Sequence, residues 1–430
     1  MKYFEQGAAT GQDSKMGAAR RFSIGITTAF LILTLGLSPI GGGLVANLEI
    51  LVMLASVFLA RGHLATAWRD SSAPKLFAIS FVMIAIAFIA TATGLRDLRA
   101  IGNFLPLILL APTIALLTKA RIPKLAPTIA TVALFGVLLA FLWGSFEVFV
   151  LRQPRAESQS NPILYADLSV VIGFIAAGGL LLRSRWQALY ALGPLAGLGC
   201  ALIADTRGAV LAGVLMTLVL GTFWYFNLRK TSRIGTLAVA LVVGAVAIGS
   251  VAGSPRVSSM AETVIDVAVR GSADESTNNR LEFYRAGVQS FLEAPLVGHG
   301  WARRYTAAQK YMPPKLQLAG YQHLHSDPMD LASAAGILGL LAYALMIATP
   351  LISGLRQPAG GEERLVSLYW GATLTAGFVV AGLTDSLFSS ESTKMAFVSL
   401  TAVIAAMALS SRARNGNHPM APPEVSDAST

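Results

Sequence analysis

The sequence predicts an all-α polytopic integral membrane protein of about twelve transmembrane helices, with one large helical loop on the outer side. Three observations carry this. Of 430 residues, 54% are hydrophobic and only 13% are charged, whereas a soluble globular chain carries about 25% charged residues. The mean hydropathy is +0.61. The apolar residues also gather into runs near the roughly 20 residues that a helix needs to cross a bilayer. One or two soluble cores could not hide this much apolar surface.

Twelve such runs occur, at 22–40, 44–60, 76–93, 101–118, 125–150, 164–182, 187–203, 209–227, 234–252, 331–353, 365–383 and 395–410. Charge orients them. With the N-terminus inside, the inner segments hold nineteen lysines and arginines, the short outer loops six and the long segment eight. Short loops report topology and long ones do not, so this asymmetry places both termini on the cytoplasmic side. The expected organisation is a cytoplasmic tail (1–21), nine spans (22–252), a large periplasmic loop (253–330), three spans (331–410) and a disordered cytoplasmic tail (411–430). No small-x-small cleavage site follows the charged first 21 residues, which predicts an uncleaved first span. A single cysteine, Cys200, excludes an intrachain disulfide and a Cys-rich metal site. The net charge of +10 fits lipid-facing cytoplasmic loops, with membrane lipids and not nucleic acid as the partner.

The long loop reads as a small helical unit. Apolar residues at 257, 260, 261, 264, 265 and 268 have a helical period. A second helix is expected to open with Asn279 as N-cap and Glu282 at its third position, and to close at Pro295. Asp327-Pro328 reads as the cap and first-turn proline of the next span.

Outer loops of such a protein should be poor in arginine, yet these carry Arg96, Arg99, Arg152, Arg155, Arg207, Arg280, Arg285, Arg303 and Arg304. Arg207 lies in the short hairpin Ala204-Asp205-Thr206-Arg207-Gly208, where it would snorkel, pair with Asp205 or bind an anion at the membrane surface. Arg280 is expected in the first turn of its helix, where the dipole and open N–H groups favour an anion. Its bland alternative is a surface charge paired with Glu282 or Asp274. Guanidinium matches phosphate oxygens, so two such arginines suit a lipid-linked diphosphate.

Three of the five histidines, His299, His323 and His325, fall in the outer segment. Imidazole titrates near neutrality and suits a general base acting on a hydroxyl. His323-x-His325 could also cap, stack or bind a metal, but two ligands without a nearby carboxylate cluster make a weak site. No metal and no cofactor is expected. Asp97 is read as a local partner of Arg96 and Arg99, and Glu49, Glu147 and Asp167 as interfacial groups or partners of loop arginines.

His325-Ser326, nine residues, then Gly336-Ile337-Leu338-Gly339 resembles the H-[NSQ]-x9-G-x-x-[GTY] pattern of O-antigen ligases. These belong to a polytopic, GT-C-like superfamily with O-antigen polymerases and O-oligosaccharyltransferases. Arg207 resembles that family's loop arginine. Arg280, Tyr284, Pro295, Gly298 and Gly300 resemble its large-loop series, and Thr384-Asp385 its polar-acidic pair. Ser326 stands where many members have Asn, and Tyr284 where Trp is common. The resemblance implies transfer of a polysaccharide from an undecaprenyl-diphosphate-linked glycan donor to a sugar hydroxyl of the lipid A core oligosaccharide acceptor, at the periplasmic face of a Gram-negative inner membrane. It implies catalytic roles for His325, Arg207 and Arg280. Arg285, Arg152, Arg155, His323 and Asp385 would assist substrate binding. A polymerase, a protein O-oligosaccharyltransferase and a lipid-linked glycan or anion transporter are the alternatives.

Overall fold

The computed structural model describes residues 21–122, 124–227, 233–252, 274–357 and 361–416, and these are helical nearly throughout, with no strand among them. The helices are α1 (Arg21–Leu59), α2 (Arg61–Asp70), α3 (Ala73–Thr91), α4 (Leu95–Gly102), α5 (Pro106–Ala120), α6 (Leu125–Val150) and α7 (Pro162–Leu181). They continue as α8 (Gln187–Ile203), α9 (Arg207–Asn227), α10 (Arg233–Ala252), α11 (Glu275–Glu293), α12 (Asp327–Leu355), α13 (Gly361–Thr384) and α14 (Glu391–Gly416). Nine helical stretches among the described residues are long and apolar enough to cross a membrane: α1, α3, α4 into α5, α6, α7, α9, α12, α13 and α14. α1 is broken at Gly42 (φ 48°, ψ −135°), which divides its 39 residues into two consecutive rods. α8 and part of α10 add shorter apolar helices. The protein is therefore a polytopic helical membrane protein.

α7 and α14 are buried along almost their whole hydrophobic length and form the centre. The outer helices turn large apolar side chains outward, among them Leu51, Phe58, Phe135, Leu142 and Leu218, as a lipid-facing surface requires. α7 and α8 approach backbone to backbone: a Cβ on Gly173 would stand 2.5 Å from the Gly193 carbonyl oxygen, and one on Gly193 2.6 Å from that of Gly173. Small residues permit such contact where lipid and protein are equally apolar.

Contacts between connections sort them into two ends. At one end, Ser158 Oγ donates to Ile40 O (2.8 Å), Arg155 Nε to Ala204 O (2.7 Å) and Arg303 Nη1 to Asp97 Oδ2 (3.0 Å). Residues 274–326 and 385–390 lie at that same end, joined through Arg280 and Thr384. At the other end Lys119 Nζ donates to Leu59 O (2.6 Å) and Arg183 N to Glu362 Oε2 (2.9 Å).

Several expectations shift. The helix anticipated over 257–270 lies outside the described residues, as do residues 1–20 and 417–430. α14 runs to Gly416, past the arginines 412 and 414 placed in the tail. α11 opens five residues earlier than expected, with Asp274 as N-cap accepting from Ser276 N at 3.1 Å. Arg280 therefore sits in the second turn, away from the open N–H groups. Ser326 occupies the N-cap position of α12, and Asp327 turns inward to accept from Phe388 N at 2.8 Å. Asp97 pairs with Arg303, two hundred residues away, through the bond given above.

α12 contains the feature that fixes the large loop. At Gly336 (φ 60°, ψ −143°) the helix breaks. The freed carbonyls of Ser333 and Ala334 accept from His299 N and Gly300 N, both at 2.9 Å, and Ile337 N donates to Pro295 O at 2.8 Å. A Cβ on Gly336 would lie 2.6 Å from Leu296 C, one on Gly298 2.5 Å from Ala334 C, and one on Gly339 2.2 Å from Leu331 O. Gly336, of the His-Ser-x9-Gly pattern, and Gly298, of the Pro-x-x-Gly pattern, thus let the two chain segments lock together. Replacing Gly336 by Ala combines a disfavoured φ with a backbone clash. It should lower the melting temperature in detergent by roughly 5 °C or more. Gly221→Ala, on an open helix face with nothing within 4 Å, is the control that should leave it nearly unchanged.

Candidate functional site

His325 lies just before α12 in the left-handed region (φ 49°), a conformation that non-glycine residues adopt rarely and that neighbouring contacts must hold. Those contacts are present on both sides. Leu324 N donates to Asp330 Oδ1 (3.0 Å) and Ser326 N to Ser386 Oγ (3.1 Å). The imidazole stacks on Phe283 of α11, with centroids 5.3 Å apart, and meets the edge of Tyr321, also at 5.3 Å. Its Nδ1 is 2.9 Å from Asp385 Oδ1, in the connection between α13 and α14. With Nδ1–H donated to the carboxylate, Nε2 carries the lone pair, the tautomer a general base needs. Burial disfavours charge on Asp385, but the His325 hydrogen bond and charge, nearby His323 and the Ser386 N–H outweigh it and hold the carboxyl below its usual range. His323 lies beside His325, with ring centroids 4.3 Å apart. Its own pKa is lowered, first by burial and then by His325.

Arg280 reaches the same connection, donating from Nε to Thr384 O (3.0 Å) and from Nη1 to Ser276 Oγ (2.9 Å). Tyr284, one turn further along α11, donates its hydroxyl to Leu383 O. Arg207 opens α9, and its neighbour Gly208 packs on Thr384, where a Cβ would stand 2.5 Å from Oγ1. Its Nη1 donates to Asp274 Oδ2 at 2.7 Å, an acidic partner sixty-seven residues away. Burial works against ionisation of Asp274, but bonds from Thr277 and Arg207 keep its carboxyl below the ordinary range. His325, His323, Asp385, Arg280 and Arg207 are therefore joined through one short connection, Leu383–Ser386.

The remaining candidates are elsewhere or otherwise engaged. Arg155 straps the turn before Arg207, donating to Ala204 O, Asp205 O and Thr206 Oγ1 at 2.7, 3.2 and 3.3 Å. Arg152 is exposed at the same end. Arg285 is exposed and paired with Glu282. None of the three intramembrane acids forms an ion pair with an arginine among the described residues. Glu49 accepts from Ser399 Oγ at 2.9 Å, and Glu147 caps Glu157 N and Ser158 N at 3.1 and 3.0 Å. Asp167 is buried with no hydrogen-bond partner, within electrostatic reach of Asp385 and Arg280.

Sequence reasoning missed Asp330. It accepts from Leu324 N and from Ser389 Oγ (3.0 Å each), and forms an ion pair at 3.3 Å with Arg304, which stacks on Trp301 at 3.9 Å. The visible signal was the spacing Asp327–Asp330, one helical turn apart at the start of a span. Phe283 and Tyr321 carried no signal, because their contact with His325 exists only in the fold.

The helical membrane bundle thus gathers a histidine–carboxylate pair and two arginines at one end. Residues 192–344, from α8 into α12, match the family model described as O-antigen ligase. The match includes Arg207, Arg280, His323, His325 and Gly336 and ends before Asp385. No curated protein matches the chain.

Asp330→Ala strands the buried Arg304 guanidinium and an amide of the loop that carries His325. Removing one partner of a buried pair costs about 3–5 kcal/mol, against about 1 kcal/mol for losing the α11 cap in Asp274→Ala. Denaturation in detergent should rank the two variants in that order.

Proposed function

We propose that this protein is an O-antigen ligase acting at the periplasmic face of a Gram-negative inner membrane, transferring a glycan from undecaprenyl diphosphate to the lipid A core oligosaccharide. The observation that carries this reading is the His325 Nδ1–Asp385 Oδ1 contact of 2.9 Å beside the connection that Arg280 also holds. The loop end of the bundle is taken as the periplasmic end, in agreement with the charge asymmetry of the short loops.

In this mechanism the acceptor hydroxyl attacks the anomeric carbon of the donor sugar. His325 takes the hydroxyl proton on Nε2 as the new C–O bond forms. The bond from the anomeric carbon to the diphosphate oxygen breaks, and its electron pair leaves with undecaprenyl diphosphate. Asp385 holds the ring and stabilises the imidazolium. Arg207 and Arg280 neutralise the charge growing on the departing diphosphate, an effect that is large where water is scarce. A single displacement inverts the anomeric centre. The arginines are already positioned by Asp274, Ser276 and Thr384 O, so little ordering remains when the donor arrives.

The deciding experiment is a lipopolysaccharide gel of a strain lacking this gene. Bare lipid A core with full-length glycan left on its carrier supports ligation. Cores bearing one repeat unit would instead identify a polymerase. In purified protein, His325→Ala should lower kcat by about 10²–10⁴ with donor binding retained, and Asp385→Asn should lower kcat in the same direction. Substrate movement that survives His325→Ala would favour a transporter. Transfer should persist in EDTA; loss that magnesium or manganese restores would overturn neutralisation by arginine.

A further inference from the structure

His323 and His325 alone make a poor metal site, but the fold brings a third ligand from sixty residues away. His323, His325 and Asp385 each offer one ligand atom, and the three atoms lie within 4.8 Å of one another. His323 Nδ1 is buried and has no hydrogen-bond partner. Two ligands bonded to a tetrahedral zinc ion stand about 3.3 Å apart, as bond lengths near 2.0–2.1 Å require. The 2.9 Å between His325 Nδ1 and Asp385 Oδ1 is already close to that. Two imidazoles and one carboxylate form the donor set of open zinc sites, which leave a fourth position for a further ligand. Magnesium and calcium are disfavoured, since they select oxygen ligands. The supporting contacts are in place: Ser386 N donates to Asp385 Oδ1 at 2.9 Å, and Phe283 and Tyr321 fix the His325 ring.

We propose that His323, His325 and Asp385 form a binding site for a divalent transition metal of the zinc type, and that an ion held there silences transfer. The metal takes an imidazole lone pair of His325 and the carboxylate that orients it, so the acceptor hydroxyl loses its proton acceptor. The binding half of this inference stands on the geometry alone. The inhibitory half rests on the reading of His325 as the base.

The test uses the full chain in detergent, purified without a polyhistidine tag. Calorimetric titration with zinc chloride should show one ion per chain. His323→Ala and Asp385→Asn should each weaken binding at least tenfold, and His63→Ala, on α2 at the opposite end, should leave it unchanged. His323→Gln, which keeps the bulk and polarity, gives the same result if His323→Ala folds poorly. Zinc should block transfer by the unmodified protein, EDTA should restore it, and the inhibitory concentration should rise at least tenfold in His323→Ala. No binding, or equal affinity in the His323 variants, overturns the site while leaving the His325 mechanism standing. Zinc bound through these residues with transfer unchanged overturns inhibition and the general-base reading together.

Discussion

The structure depends on one constraint: backbone polar groups in an apolar surrounding must find partners within the protein. At Gly336 the α12 ladder is interrupted, and the segment 295–300 supplies the donors and acceptor that the helix has lost. Leaving a buried carbonyl or amide bare costs about 1–3 kcal/mol each, so helix break and loop stabilise one another. The large loop is consequently held by main-chain bonds, and its position does not depend on exposed ion pairs, which are worth little. Ser333 strengthens the joint, donating to Arg304 O and meeting Ser290 Oγ, both at 2.7 Å.

From that joint the site is assembled by short links. α11 leads into the 295–300 segment and carries Phe283 and Arg280 toward the α13–α14 connection. α12 begins two residues after His325 and breaks eleven residues after it, at Gly336, and Asp330, on its first turn, ties the His325 loop down. The left-handed φ of His325 is tolerated because the residues flanking it are hydrogen-bonded on both sides. Strain of this kind persists where surrounding contacts over-determine the backbone, and it aims a side chain that an ordinary extended loop would leave free.

Charge placement follows the same economy. Arg304 is buried against Asp330 and Trp301, Arg303 bridges to Asp97 and the α3 terminus, and Arg155 clamps the turn before Arg207. The excess of arginine on one end of the bundle is thus partly structural. Arg280 instead holds Thr384 O, next to Asp385, and Arg207 is tied to the same connection through Gly208, which packs on Thr384.

The sequence by itself determined what depends on composition and short-range pattern. The apolar runs specify spanning helices, because a bilayer accepts little else. His325, Gly336 and Gly339 carried the resemblance to O-antigen ligases by their spacing, and that resemblance agrees with the family model matched at 192–344. What pattern could not supply was partnership across distance. Asp385 meets His325 across sixty residues, Asp274 meets Arg207 across sixty-seven, and Asp97 meets Arg303 across more than two hundred. The start of α11 shifted to Asp274 because that carboxylate both caps the helix and faces Arg207, a double role invisible to local propensity. Pairing of this kind is decided by which helix ends the packed bundle brings together, and only the tertiary structure contains that information.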